Sequence, residues 1–251
     1  MVSEEPTNDQ VYEVFYRMCI WLIENGLFDS LTDTLLKMQE EESVEEYEIA
    51  LKILKIVETL VELWEASVDT LVGETKLLEY LANRIMPNFK IKHKVIDDNK
   101  FVSSDLLAVI LSHSLPAQVK FHQLCGVEIL LEGVRPYLSR APASSDETEY
   151  LGNLFDCLNL LLINAAPELQ QSRRVYQEMK GNEVMLQFVR AKNEHSIAGL
   201  KSIAASLANN PEGEAAMVEE LIDWGALKYI FPIVSRQGVK GADVDQQRTI
   251  D

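Results

Sequence analysis

Two polar stripes lie on segments that have the periodicity of amphipathic helices. In residues 148–165, and again from residue 48 onward, apolar side chains recur on one side at about 100° per residue, and polar side chains fall on the other. Carboxylates accept charge-assisted hydrogen bonds from lysine and arginine, and asparagine can hold an extended peptide backbone. The sequence therefore predicts a surface for a basic peptide, formed by Glu149, Asn153, Asp156, Asn159 and Asn164, with an equivalent stripe at Glu48, Glu58, Thr59 and Glu62.

The second stripe is the weaker of the two, because Lys52 and Lys55 lie within it. An ordinary solvated helix face is the alternative interpretation of both stripes. The six glutamates of "QEEESVEEYE" (39–48) are interpreted as a solvated loop and helix start, where negative charge suits the helix dipole. The basic stretch "RIMPNFKIKHK" is interpreted as a loop.

The sequence lacks the motifs of common catalytic and metal sites. It contains no GxSxG, GxxxxGK[ST], GxGxxG, HExxH or CxxC, and no two of its four histidines are four residues apart. Cys125, beside Gly126, is predicted to be a packed apolar residue. These patterns predict a protein that is not an enzyme and has no catalytic residue, cofactor or metal site.

Composition narrows the function classes further. The 251 residues carry a formal charge of −17, which argues against direct binding of nucleic acid through its phosphates and favours basic protein partners, or serves solubility alone. No apolar run approaches the roughly 18 residues of a membrane span, and no signal peptide is recognisable at the N-terminus. Three unevenly spaced cysteines are typical of reduced thiols in a cytosolic or nuclear protein.

Five glycines recur along the chain at nearly regular intervals. Each is predicted to end one short helix and begin another, and the intervals between them are 47, 53, 55 and 44 residues; the glycines are Gly26, Gly73, Gly126, Gly181 and Gly225. A longer amphipathic helix follows each pair, at 48–64, 99–115, 148–165 and 193–209. The unit resembles the armadillo repeat, whose period is about 40–47 residues. In that fold the third helices line a concave groove.

The repeat defines the expected architecture. We predict an all-α armadillo-repeat right-handed superhelix (α-solenoid) of about four to five repeats over residues 1–234, with a polar tail at 235–251. The superhelix is predicted to be incomplete at both ends, so that the faces at 11–25 and 226–234 stay partly apolar and allow self-association. Trp21 and Asn25 have the Trp-x-x-x-Asn spacing of nuclear import receptors, but they lie on a first-type helix, where Trp21 is expected to pack.

Five ordered stretches carry a more specific resemblance: "ESVEEYEIALKILKIVETL", "FVSSDLLAVILS", "DETEYLGNLFDCLNLLL", "AGLKSIAASLANNPEG" and "GALKYIFPIV". Over about residues 25 to 235 the chain resembles the beta-catenin-like protein 1 family of nuclear armadillo proteins associated with the spliceosome. The resemblance implies a nuclear, non-enzymatic adaptor of the nineteen complex that binds basic segments of partner splicing factors. It fixes no partner-contact residue. The alternative function is an armadillo-type nucleotide exchange factor for Hsp70.

Overall fold

The structure, a computed structural model, describes residues 8–87, 96–208 and 214–235. These residues form helices joined by turns and short loops, without a β-strand, and the predicted all-α class is thereby confirmed for them. The α-helices are α1 (Asn8–Glu24), α2 (Leu27–Leu35), α3 (Val44–Leu63), α4 (Ser67–Glu74), α5 (Leu77–Ile85), α6 (Asp98–His113), α7 (Leu115–Gln123), α8 (Gly126–Val134), α9 (Ser145–Ile163), α10 (Gln170–Glu178), α11 (Gly181–Ala191), α12 (Ser196–Leu207), α13 (Glu214–Asp223) and α14 (227–235). Short 3-10 helices occur at Arg135–Leu138 and Pro167–Leu169.

The chain divides into two compact units, Met1–Ile129 and Leu130–Asp251. In the first unit, α3 packs along α6, and α6 also packs against α5. In the second, α12 packs against both α9 and α11. In each unit, therefore, two of the long helices expected as third helices of repeats lie side by side. The number of repeats and their superhelical stacking stay predictions.

The helices α3 and α9 begin in the same way. Ser43 and Ser144 are their N-caps, and each hydroxyl accepts a hydrogen bond at 3.2 Å from the backbone N–H of a glutamate three residues later, Glu46 or Glu147. This is the N-terminal half of a capping box, and it satisfies an amide that the helix itself leaves without a partner. The two pairs are 101 residues apart along the chain, about twice the glycine interval, as a repeat of this kind requires.

Four of the five glycines lie where one helix gives way to the next. Gly26 and Gly225 adopt the left-handed backbone conformation, with φ of 84° and 64°. At the other two breaks the residue before the glycine is left-handed instead, and the glycine is required by close packing. A Cβ on Gly126 would lie 2.6 Å from the Phe121 ring, and one on Gly181 would collide with the ring of Tyr176. The helix breaks thus come from two different physical uses of glycine.

Gly73 does not fit the predicted pattern. It lies inside the last turn of α4, and a Cβ built on it would have no atom within 4 Å. The helix break comes two to three residues later, at Thr75 and Lys76. Thr75 ends α4 in an extended conformation, its hydroxyl donates to the carbonyl of Leu71 at 2.7 Å, and it accepts from the N–H of Leu77 at 3.2 Å. A threonine therefore makes the turn that we had assigned to the glycine.

The first and last described helices carry exposed apolar side chains. On α1 these are Tyr12, Val14, Phe15, Met18 and Trp21, and on α14 they are Leu227, Phe231 and Val234. The prediction of partly apolar end faces is confirmed. The expectation that Trp21 packs is wrong, because 59% of Trp21 is exposed while Cys19 and Ile23 form the buried side of α1. Cys125 is also exposed rather than packed, in a left-handed turn with φ of 61°.

A buried polar network joins three segments of the first unit. Glu40 accepts hydrogen bonds from the hydroxyl of Tyr80 at 2.5 Å, from Nδ2 of Asn99 at 2.6 Å and from Nε of Arg84 at 3.3 Å. Arg84 also bonds Asp97, the N-cap of α6. Charge this deeply buried is stable only when paired and hydrogen-bonded. The prediction of a solvated loop at 39–48 is wrong for Glu40, which is buried. The prediction of a loop around Arg84 is wrong for Arg84, which lies within α5.

Several predicted features lie outside the described residues: the tail from 236 onward, the "NNPEG" turn at 209–213 and the basic segment 88–95.

Candidate peptide-binding surface

One row of side chains runs along α9 with the spacing of a single helix face. Glu149, Asn153, Asp156, Leu160 and Ile163 follow one another at intervals of three or four residues, and we call them the α9 ridge. Glu149 and Asp156 are exposed, and 54% of Ile163 is exposed. The ridge therefore presents one carboxylate near the start of the helix, a second near its middle and an apolar surface toward its C-terminal end.

The other two asparagines predicted for this surface make contacts within the protein. Asn159 lies beside the ridge, and its Oδ1 accepts a hydrogen bond at 2.7 Å from the hydroxyl of Ser202 on α12. Asn164 follows the last residue of α9, where its Oδ1 accepts from the N–H of Ala166 at 3.0 Å and its carbonyl accepts from Nη1 of Arg173 at 2.6 Å. Asn159 thus joins two helices, and Asn164 ends α9.

The N-terminal end of the α9 ridge is held firmly. Glu147 is buried and accepts hydrogen bonds from both terminal nitrogens of Arg140, from the hydroxyl of Tyr137 at 3.1 Å and from the N–H of Ala143 at 2.5 Å. The guanidinium of Arg140 holds the pKa of this carboxyl below its usual value. Glu149, two residues on, therefore projects from a helix start that four hydrogen bonds anchor to the preceding segment.

The equivalent row on α3 is Glu48, Lys52, Lys55, Thr59 and Glu62, all of them exposed, and we call it the α3 ridge. It has the same spacing as the α9 ridge, 101 residues earlier, but two lysines occupy its centre where α9 carries Asn153 and Asp156. The hydroxyl of Thr59 donates to the carbonyl of Lys55 at 2.8 Å, as is usual for threonine inside a helix. The α3 ridge therefore has mixed charge and offers a basic peptide much less attraction than the α9 ridge.

Glu58 lies at the side of the α3 ridge, half-buried against α6, and there it hydrogen-bonds the carboxyl of Asp105. Burial first, then this hydrogen bond and the negative charges of Asp105 and Glu62, raise the pKa of Glu58 to about 7. One proton is thus retained between two carboxyls near neutral pH. Glu58 occupies the position on α3 that Asn159 occupies on α9, and each side chain bonds the neighbouring long helix of its own unit.

Sequence periodicity placed all nine candidate residues on or directly after the two helices, but not their roles. The structure groups Glu149, Asn153 and Asp156 on one ridge, assigns Asn159, Asn164 and Glu58 to contacts within the protein, and leaves Glu48, Thr59 and Glu62 on a ridge with lysines. Leu160 and Ile163, which were not among the nine candidates, complete the α9 ridge and interrupt its polar face. In the described part of the chain, no three side chains of the metal-binding types come together. Likewise, no described helix combines the length and apolar character that crossing a membrane requires.

In the residues that the structure describes, α3 and α9 carry ridges of identical spacing, and left-handed or closely packed turns separate successive helices. These residues define the protein as all-α. It belongs to the family described as catenin-beta-like, Arm-motif containing, nuclear, whose model matches residues 2–250. This is a family of armadillo-motif proteins and not a known enzyme family, and its description locates its members in the nucleus, as predicted here.

Curated relatives agree with this assignment. The chain is 25% identical over 210 residues to the beta-catenin-like protein 1 homolog of Schizosaccharomyces pombe, covering 84% of this chain and 35% of that protein. It is 26% identical to beta-catenin-like protein 1 of Rattus norvegicus and 25% identical to that of Homo sapiens, each over 198 residues, covering 79% of this chain and 33% of the relative. The chain therefore spans about a third of the length of these relatives.

Proposed function

We propose that the protein is a non-enzymatic adaptor of pre-mRNA splicing that binds basic peptide segments of splicing factors through the α9 ridge. The observation that carries the proposal is the ridge itself: two exposed carboxylates at helical spacing, an amide between them and an apolar patch after them. Membership of a nuclear armadillo-motif family supports a role in the nucleus. The resemblance of the sequence to spliceosome-associated family members supports a role in pre-mRNA splicing.

The chemistry of the ridge fits an extended basic segment. Glu149 and Asp156 are seven residues apart on a helix, and a rise of about 1.5 Å per residue puts them roughly 10 Å apart. A peptide in the extended polyproline II conformation advances about 3.1 Å per residue with three residues per turn, so side chains three residues apart lie on the same side and span a similar distance. Two lysines or arginines at that spacing reach both carboxylates, and the aliphatic parts of neighbouring side chains cover Leu160 and Ile163.

The test is a titration of a fluorescent basic localisation-signal peptide against the wild type and a Glu149→Lys, Asp156→Lys variant. Both residues are exposed, so the variant should fold normally. Each lost exposed ion pair is worth about 0.2–1 kcal/mol, and the new charges also repel the peptide, so we expect Kd to rise about tenfold at low salt. Screening over about 8–10 Å should reduce this difference as salt is added.

A matched control makes the same charge change elsewhere in the second unit. Glu132 on α8 and Glu219 on α13 are exposed and lie off the ridge, so Glu132→Lys, Glu219→Lys shifts the net charge equally. The control should retain most of the wild-type affinity. If the two variants lose affinity equally, the ridge contributes only through the net charge of the protein. If the ridge variant binds the peptide as tightly as the wild type, the ridge is excluded as the binding surface.

A further inference from the structure

A cavity of about 440 Å³ opens in the first unit, where the end of α3 meets the start of α4. Its size falls within the range of roughly 300–1,000 Å³ typical of pockets for small ligands. Four segments build it: α1, the end of α3 with the following turn, the first turn of α4 and the end of α6. The lining residues are Tyr16, Leu63, Trp64, Glu65, Ala66, Val68, Asp69 and His113.

The cavity has aromatic walls. Trp64, the C-cap of α3, and Tyr16 of α1 both line it, and both are half-buried, so that part of each side chain stays accessible. Tryptophan and tyrosine rings attract cations through their quadrupoles, at about 0.5–1 kcal/mol per contact in exposed sites and about 2 kcal/mol once water is removed. The walls therefore favour a ligand that carries positive charge on a partly apolar body.

Two carboxylates are held at the same cavity. Asp69 Oδ1 accepts a hydrogen bond at 2.5 Å from the hydroxyl of Ser114, and Glu65 Oε1 lies 2.7 Å from Nδ1 of His113. These contacts orient the carboxylates and leave their remaining oxygens able to accept further hydrogen bonds. The described lining includes neither lysine nor arginine to neutralise them. An anion would be repelled here, and a purely apolar ligand would gain no attraction from either carboxylate.

We infer that this cavity binds the cationic side chain, arginine or lysine, of a partner polypeptide. The guanidinium or ammonium group meets Glu65 and Asp69, while the aliphatic stem lies against Trp64 and Tyr16. The choice of a polypeptide rests on the proposed function, whereas the choice of a cation rests on the cavity alone. The site belongs to the first unit and shares no residue with the α9 ridge of the second.

Trp64 supplies a direct reporter. The chain has three tryptophans, Trp21, Trp64 and Trp224, whose indole N–H signals can be assigned in ¹H–¹⁵N NMR spectra with single Trp→Phe variants. Titration with N-acetyl-arginine methylamide or its lysine analogue should shift the Trp64 signal saturably and leave the other two unchanged. The citrulline analogue has nearly the shape of the arginine compound without its charge, and it should shift the Trp64 signal at least fivefold less at equal concentration.

A Glu65→Gln, Asp69→Asn variant keeps the hydrogen-bonding shape of both side chains and should raise Kd about fivefold or more. The matched control, Glu41→Gln, Glu42→Gln, removes two exposed charges of the same unit and should change Kd less than twofold. Three results would overturn the inference. The Trp64 signal does not shift with the arginine compound, it shifts as much with the citrulline analogue as with the arginine compound, or it shifts as much in the Glu65→Gln, Asp69→Asn variant as in the wild type. Tighter binding of tetramethylammonium than of arginine would overturn the assignment to an arginine or lysine side chain. A variant of the α9 ridge should leave the Trp64 response intact, so failure of the ridge and failure of the cavity are distinguishable.

Discussion

Replacing Glu58 with glutamine should make the stability of the protein less dependent on pH. In the folded state the pKa of Glu58 is about 7, above its ordinary value of 4.5, so folding favours the protonated carboxyl. Deprotonation therefore costs stability progressively as pH rises from about 4.5, and the full cost is reached above about 7. Glutamine is a permanent mimic of the protonated form and can still donate a hydrogen bond to Asp105.

The size of the effect follows from the two pKa values. At about 1.4 kcal/mol per tenfold change in the ionisation constant, the gap between 4.5 and about 7 sets an upper limit of about 3 kcal/mol. Glu58 is only half-buried, and solvent screening reduces this limit substantially. We expect the Glu58→Gln variant to exceed the wild type by about 1 kcal/mol in free energy of unfolding at pH 8, and to match it within about 0.5 kcal/mol at pH 5.

Urea unfolding followed by circular dichroism at both pH values measures this difference. Glu48→Gln serves as the control, because Glu48 is exposed on the same helix, ten residues before Glu58, which is about 15 Å along the helix axis. An equal stability difference at pH 5 and pH 8, or a Glu58→Gln variant that is less stable at pH 8, would refute the assignment of a retained proton to this carboxyl pair.

Two further outcomes are expected. Gly181→Ala should lower the free energy of unfolding by about 1–3 kcal/mol, because the added Cβ would collide with the buried ring of Tyr176. Gly73→Ala should be neutral or stabilising by up to about 1 kcal/mol, because Gly73 has open space beside it and a helical backbone. Equal effects of the two substitutions in urea unfolding would contradict this packing argument. The exposed apolar faces of α1 and α14 should make the average mass in light scattering rise with concentration, and Trp21→Glu with Phe231→Glu should suppress that rise; a wild type that stays monomeric throughout would exclude self-association through these faces.

Much of the fold was predictable because helices carry local information. Periodicity located α3 and α9, and the Ser-x-x-Glu pattern at Ser43 and Ser144 explains where they start. Glycine marked four of five breaks, since left-handed backbone and close approach both favour it. It failed at Gly73 because one glycine in a final turn costs a helix little, and a threonine hydroxyl can end the helix instead.

The roles of polar residues were less predictable, because they depend on what lies opposite. Periodicity placed Asn159 on a polar face, but only the packing of α12 shows that the hydroxyl of Ser202 donates a hydrogen bond to its side-chain oxygen. Glu40 looked like one of six solvated glutamates, yet its partners lie 40 to 59 residues further along the chain. Trp21 was expected to pack because it lies on a first-type helix of the repeat, and nothing in its own helix revealed that this side stays exposed.

The buried network around Glu40 also constrains how the protein emerges during translation. Glu40 leaves the ribosome 59 residues before Asn99, which at roughly 5–20 residues per second is an interval of about 3 to 12 s. Throughout that interval its carboxylate lacks the amide of Asn99, and for the first 44 residues of it the carboxylate also lacks the guanidinium of Arg84. The carboxylate must therefore stay hydrated, and the start of α3 cannot pack fully against the rest of its unit. The nascent first unit should therefore acquire protease resistance in one step, after α6 has been synthesised, rather than helix by helix.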